Sequence, residues 1–297
     1  MSYRIEKDRP LDSEIRRIAA EEIDAVATRL ANAPKDRQET LHDARKRLKR
    51  LRGLIKLVRR ADPAFHDREN TRYRDLAREL APMRDADTLV ETADRFLAAA
   101  SDSQAAVHVA AIRDYLVSRR DRIVREHQEV AFPAALAALA EGRQALASLA
   151  LLREPRAAAR LLARGAEDVV TKARKALRRA RKHGKADDFH ELRKAMKNHR
   201  MHMDLLKKLQ PVGTGRRRKA DALADRLGEL NDIDVMLTFL QREEEGIAAP
   251  EAIRAFRELL AAEEKALRKA CLRQAEGLFE KEGKLARRIE QGIRKAA

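Results

Sequence analysis

The sequence predicts an all-α protein made of two helical bundles, and three observations carry that prediction. Ala, Leu, Arg, Glu and Lys dominate the 297 residues, with 11 Gly and 8 Pro, which is the usage of long helices. No run of alternating β-branched residues marks a strand. One basic pattern occurs twice, as His42-x-x-Arg45-Lys46-x-x-Lys49-x-x-Arg52 and as His190-x-x-Arg193-Lys194-x-x-Lys197-x-x-Arg200, 148 residues later.

The breaks between helices repeat with the motif. They are expected near Pro34, Pro63, Pro82–Arg84, Ser101–Ser103, Glu154–Pro155, His183–Lys185, Pro211–Gly215, Asn231 and Gly246–Pro250. Leu76 to Asp87 aligns with Leu223 to Asp234 at a separation of 147. Each half then reads as a helix, a basic helix, a short helix, an Asp-led helix and a long closing helix. The expected units are residues 10–153 and 154–295, two bundles related by an approximate two-fold axis.

At 100° per residue the basic helices are two-sided. Leu41, Ala44, Leu48, Leu51, Ile55 and Val58 form an apolar seam in the first copy, and Phe189, Leu192, Met196, Met203 and Leu206 form one in the second. Beside the first seam stand His42, Arg45, Lys46, Lys49, Arg52, Lys56 and Arg60. Beside the second stand His190, Arg193, Lys194, Lys197, Arg200 and Lys208, with Asp204 where Lys56 would fall. Like charges at these spacings weaken a helix by a few tenths of a kcal/mol per pair. A fold that keeps such a stripe pairs it with another helix or uses it; the alternative is a solvated face.

Thr40-x-x-Asp43 and Asp188-x-x-Glu191 resemble capping boxes and would set each leading histidine beside unpaired helix amides, an anion site. A competing start at Asp36 puts His42 inside the helix instead. His42 and His190 are otherwise core or capping histidines. Lys172, Lys175, Arg179 and Lys182 form a further basic stripe, with Arg16 in the corresponding helix of the first half, and Arg68, Arg72 and Lys219 on the short third helices. Solvated surface is the favoured reading of all these. Asp85 and Asp232 are read as helix caps or as partners of an Arg on the basic helix.

A net charge of +17 calls for an anionic partner, while 48 acidic residues argue against a disordered basic tail. Cys271 stands alone, so an internal disulfide and a Cys-based zinc site are excluded. The charged stretch from Met1 to Pro10 lacks a signal-peptide core, and no apolar run approaches about 18 residues. The expected setting is the cytoplasm. There is no Gly-rich phosphate loop and no nucleophile elbow. His199-x-x-His202 has the spacing of a helical metal pair, but His199 occupies the seam position equivalent to Leu51 and is read as a core histidine. Glu39-x-x-His42 and Asp187-x-x-His190 stand among lysines and arginines that would repel a metal. No catalytic constellation and no cofactor are expected.

The two basic motifs, with Leu227-Gly228-Glu229-Leu230-Asn231-Asp232-Ile233-Asp234, resemble the CHAD family, named for a histidine-containing α-helical domain. The resemblance covers about residues 10–290. Met201 stands where the family often has Tyr, and Arg84-Asp85-Ala86-Asp87 follows Met83 without the usual Leu-Gly step. The resemblance implies two four-helix bundles with pseudo-two-fold symmetry around a basic channel. It also implies binding of inorganic polyphosphate, often on polyphosphate granules. Some members are fused to a triphosphate-processing domain; the form expected here is the stand-alone, non-enzymatic binder. A non-specific nucleic-acid binder is the alternative. An aromatic content of 3%, with Trp absent and Tyr73 alone beside Phe189 near a basic cluster, leaves few stacking platforms for single strands.

Overall fold

The computed structural model describes residues 3–6, 9–32, 37–100, 103–151, 154–209, 213–243, 246–279 and 289–292. The expected break at Pro34 and the proposed start at Asp36 lie outside them. Most of the described residues are helical, with no strand among them. In chain order the helices are α1 (Leu11–Ala31), α2 (Arg37–Val58), α3 (Pro63–Glu79), α4 (Ala81–Ala99), α5 (Ser103–Ala145), α6 (Pro155–His183), α7 (Ala186–Leu205), α8 (Thr214–Arg242) and α9 (Pro250–Phe279). A short 3-10 turn, Leu146–Ser148, follows α5.

The boundaries have local causes. Pro63 opens α3, where its missing N–H costs no bond, and the Asp62 carboxylate caps the helix by accepting from Phe65 N at 3.0 Å. Pro155 opens α6 in the same way, under the Glu154 carboxylate, which accepts from Arg156 N at 2.8 Å. Gly184 ends α6 in the left-handed conformation, φ 63°, that favours glycine.

Two expected features are corrected. α8 runs unbroken through Asn231, so the second half has one long helix where the first has α3 and α4. The cause is Pro82 in the first turn of α4. It has no N–H to donate to the carbonyl four residues back, whereas its repeat counterpart is Glu229, which has one. The capping boxes also fail. α2 starts at Arg37 and α7 at Ala186, which places Thr40 and Asp188 inside the helices. Asp188 is buried, and its carboxylate pairs with Arg179 of α6 at 2.8 Å. Both leading histidines therefore lie beyond the unpaired amides of their helix.

Both apolar seams are buried as their periodicity requires. The side chains bury into two clusters whose membership crosses the sequence division at 153/154. One gathers α1, α2, α3, the end of α5, the start of α6 and Leu205, Leu206 and Leu209 at the end of α7. The other gathers α4, the start of α5, most of α6 and α7, α8 and α9. At 43 residues, α5 is long enough to serve both cores. Cys271 lies in the second, where burial pushes its thiol up to about 12.

Two glycines set how closely the basic helices meet their neighbours. A Cβ on Gly53 of α2 would stand 2.8 Å from Met201 Sδ of α7. One on Gly165 of α6 would stand 2.3 Å from the backbone oxygen of Leu57. The α2 backbone therefore lies in contact with both α6 and α7.

Candidate functional site

The seam residues of α2 and α7 anchor each helix in a core, so the basic flanks turn toward the space where the two helices meet. His42, Arg45, Lys46, Lys49 and Arg50 of α2, Arg84 of α4, and Lys197, Arg200, Met201 and Asp204 of α7 enclose a cavity of about 470 Å³. Ala224, Asp225, Gly228, Glu229 and Asp232 of α8 form its remaining wall. One side is strongly cationic and the other carries carboxylates.

Lys49 and Lys197 occupy equivalent places in the repeat and face each other. Burial and the charges of Arg45 and Arg193 lower the Lys49 ammonium to about 8. Burial, Arg193 and Lys49 itself lower Lys197 to about 7. Asp232 opposes both shifts without cancelling them. Lys49 is at the same time exposed to water. Burial also lowers Arg45 and Arg193, although Asp85 lies 3.9 Å from Arg45 and Asp232 supports Arg193. The expected Arg–Asp pairing thus holds for Asp85, which sits inside α4 and caps nothing.

His42 stands on the rim, and burial and the nearby Arg84 guanidinium lower its basicity. Arg84 is steered by a two-pronged pair with Glu91, both contacts 2.7 Å. Arg200 is held by Asp221 at 2.7 Å and approached by Asp225 at 3.8 Å. Behind Arg84, Asp87 is buried, and desolvation raises its carboxyl to about 6.

A CHAD-domain family model matches residues 17–241. The chain belongs to the CHAD family. Its structure is similar to the crystal structure of the CHAD domain from the plant Ricinus communis, with a TM-score of 0.68 at 21% identity over 94% of each chain. At that identity the likeness speaks for the fold alone. Comparison with curated proteins gives no match.

In this CHAD domain the predicted basic residues divide by location. His42, Arg45, Lys46, Lys49, Lys197 and Arg200 line the cavity just described. Lys56, Lys172, Lys175, Arg179 and Lys194 line a second cavity of about 380 Å³ between α2, α6 and α7. The others belong to neither lining. Arg52 contacts Asn70 of α3 at 3.3 Å, and His190 Nδ1 lies 2.9 Å from Asn231 Oδ1. Lys208 pairs with Glu6, and Arg60 grips Asp168 of α6 with two contacts of 2.7 Å. Arg16 is held by Asp12 and donates to Leu149 O, Arg72 lies between Glu69 and Glu141, Arg68 contacts Glu69 and Ser148, and Lys219 is exposed.

Sequence reasoning missed Arg84 and Arg50 as wall residues. Arg84 was visible only as part of a helix-start motif, and its place beside His42 depends on how α4 packs on α2. Tyr73, flanked by Arg72 and Arg74, is buried and offers no open ring for stacking. Tyr3 lies beside the wall residue Arg50, whose guanidinium is 5.3 Å from its ring centre. His199 and His202 lie in the core, as the seam register expects for His199, with the His199 ring against Phe279. No helix among the described residues is long and apolar enough to cross a membrane.

Proposed function

We propose that this CHAD domain binds inorganic polyphosphate in the cavity of α2, α4, α7 and α8. The observation that carries the reading is the convergence of Lys49 and Lys197, with Arg45 and Arg193, from two separate helices of the repeat. Like charges gathered at one concave place raise its potential and draw in a polyanion. The family likeness adds weight, because polyphosphate is the ligand the resemblance implies.

In this reading Lys46, Lys49 and Lys197 act as point charges along the polymer, while Arg45 can fork two phosphate oxygens. Much of the affinity comes from release of counter-ions, so it falls steeply with salt. Contacts to phosphate carry no base information, and the polymer's charge density decides what binds. Binding proceeds without turnover, and it is what would bring the protein to polyphosphate granules.

The test titrates long-chain polyphosphate and duplex DNA at equal phosphate concentration and physiological salt. Polyphosphate is expected to bind more tightly, and Lys49→Gln/Lys197→Gln to weaken it at least tenfold. Equal affinity for the two polymers, or an unaffected double variant, overturns the reading. Orthophosphate released in the same tubes would overturn its non-enzymatic part.

A further inference from the structure

We propose that the cavity between α2, α6 and α7 is a second phosphate site, distinct from the first and able to hold a short oligophosphate by itself. The inference rests on the polyphosphate reading and changes its layout: the two basic stripes serve two compartments instead of walling one channel.

The partition is visible in α7. Lys197, Arg200, Met201 and Asp204 face the first cavity, while Glu191, Lys194, Ala195 and Asn198 face the second, and the two linings share no residue. α2 divides likewise, with Lys49 on one side and Lys56 on the other. Between the cavities the helices touch. Met201 packs against Gly53 with no room for a Cβ, His202 Nε2 donates to Gly53 O at 2.9 Å, and Lys56 Nζ donates to Asn198 Oδ1 at 3.2 Å. A phosphate chain threading from one cavity to the other would have to part these contacts.

The second cavity is also the more one-sided in charge. Its lining holds five Lys or Arg residues and one carboxylate, a balance of +4, against seven and four in the first, a balance of +3 with His42 neutral. Arg179 and Lys194 are engaged by Asp188 and Glu191, at 2.8 and 2.6 Å. Lys172 and Lys175 are exposed and form no ion pair among the described residues; Lys172 acts on Asp168 of α6, and Lys172 and Lys194 act on Lys56 as like charges. Burial and this repulsion, with Arg52 adding to it, bring Lys56 down to about 8. A volume of about 380 Å³ lies within the usual range of small-molecule sites.

The experiment is calorimetric titration of the full chain with inorganic tripolyphosphate, which is too short to be shared between compartments. Two molecules are expected per protein. Lys172→Glu/Lys175→Glu should leave one, and Lys46→Glu/Lys49→Glu should leave the other, with circular dichroism reporting the fold of each. A single tripolyphosphate on the unaltered protein overturns the second site while leaving the first in place. Two sites that persist in Lys172→Glu/Lys175→Glu, or loss of all binding in it, overturn the assignment to this cavity. Absence of any tripolyphosphate binding overturns the polyphosphate reading itself, and this inference with it.

Discussion

His202 of α7 donates from Nε2 to the backbone oxygen of Gly53 in α2, 2.9 Å away, joining the two basic helices inside the protein. A carbonyl can only accept, so a proton sits on Nε2, and burial keeps the ring neutral near pH 7. Its other nitrogen, Nδ1, is buried without a partner. A like-charged face is thus held together from behind by a neutral contact.

Acid should loosen this arrangement. Burial lowers His202 to about 4 and His199 to about 3, against an ordinary value near 6.5. The unfolded chain therefore takes up protons first, and stability is whole above about pH 6.5 and lost as pH falls toward the folded values. His199→Leu places in α7 the residue type that Leu51 supplies in α2, and removes a buried Nε2 with no partner. Urea midpoints between pH 7 and pH 4.5 should fall less steeply in this variant than in the parent.

The lysine pair should make binding proton-linked. Lys49 and Lys197 sit at about 8 and about 7 when the cavity holds no polyanion, and phosphate beside them favours the charged form. Polyphosphate binding at pH 7.5–8 is therefore expected to take up protons, and affinity to fall as pH rises toward 9. Calorimetry in two buffers of different ionisation enthalpy reads the uptake. In Lys49→Gln/Lys197→Gln it should shrink sharply.

The same pair should cost stability. An ammonium with a lowered folded value destabilises the fold while charged; the penalty is full below about 7 to 8 and lifts as pH rises from there toward the ordinary lysine value of 10.5. Lys49→Gln/Lys197→Gln is expected to melt higher than the parent at pH 6.5, with the difference narrowing by pH 9. A lower melting temperature for the variant at pH 6.5 would contradict the repulsion argument.

Close approach at α6 gives a sharper stability effect. Gly165→Ala puts a methyl group 2.3 Å from Leu57 O, and a backbone atom has little freedom to retreat. A loss of about 1–3 kcal/mol is expected by chemical denaturation, in line with overpacked sites. Gly53→Ala meets side-chain atoms of Met201 and Tyr3, at 2.8 to 3.2 Å, instead of backbone and should cost less.

Arg60 separates charge from function. Its guanidinium is bound by both Asp168 oxygens on the protein surface. Arg60→Ala should leave polyphosphate affinity within about twofold and cost at most about 1 kcal/mol of stability, the scale of an exposed pair. A loss of affinity matching that of Lys49→Gln/Lys197→Gln would place Arg60 on the ligand path.

Local chemistry decided what the sequence could determine alone. A period of 3.6 residues separates seam from flank on one helix without reference to any other, so both seams and both basic stripes are legible in the chain. Proline's missing N–H likewise explains the breaks at Pro63, Pro82 and Pro155. Periodicity gives a side chain's face but not the neighbour that meets it, because crossings between helices are set by contacts distant in sequence. Only the tertiary structure decided that Lys49 meets Lys197 while Lys56 meets Asn198, that Arg84 joins the wall, and that Lys208 is spent on Glu6. It also decided that α4 and the start of α5 share a core with the second half, since the 43 residues of α5 span the distance between two cores that no local pattern could assign.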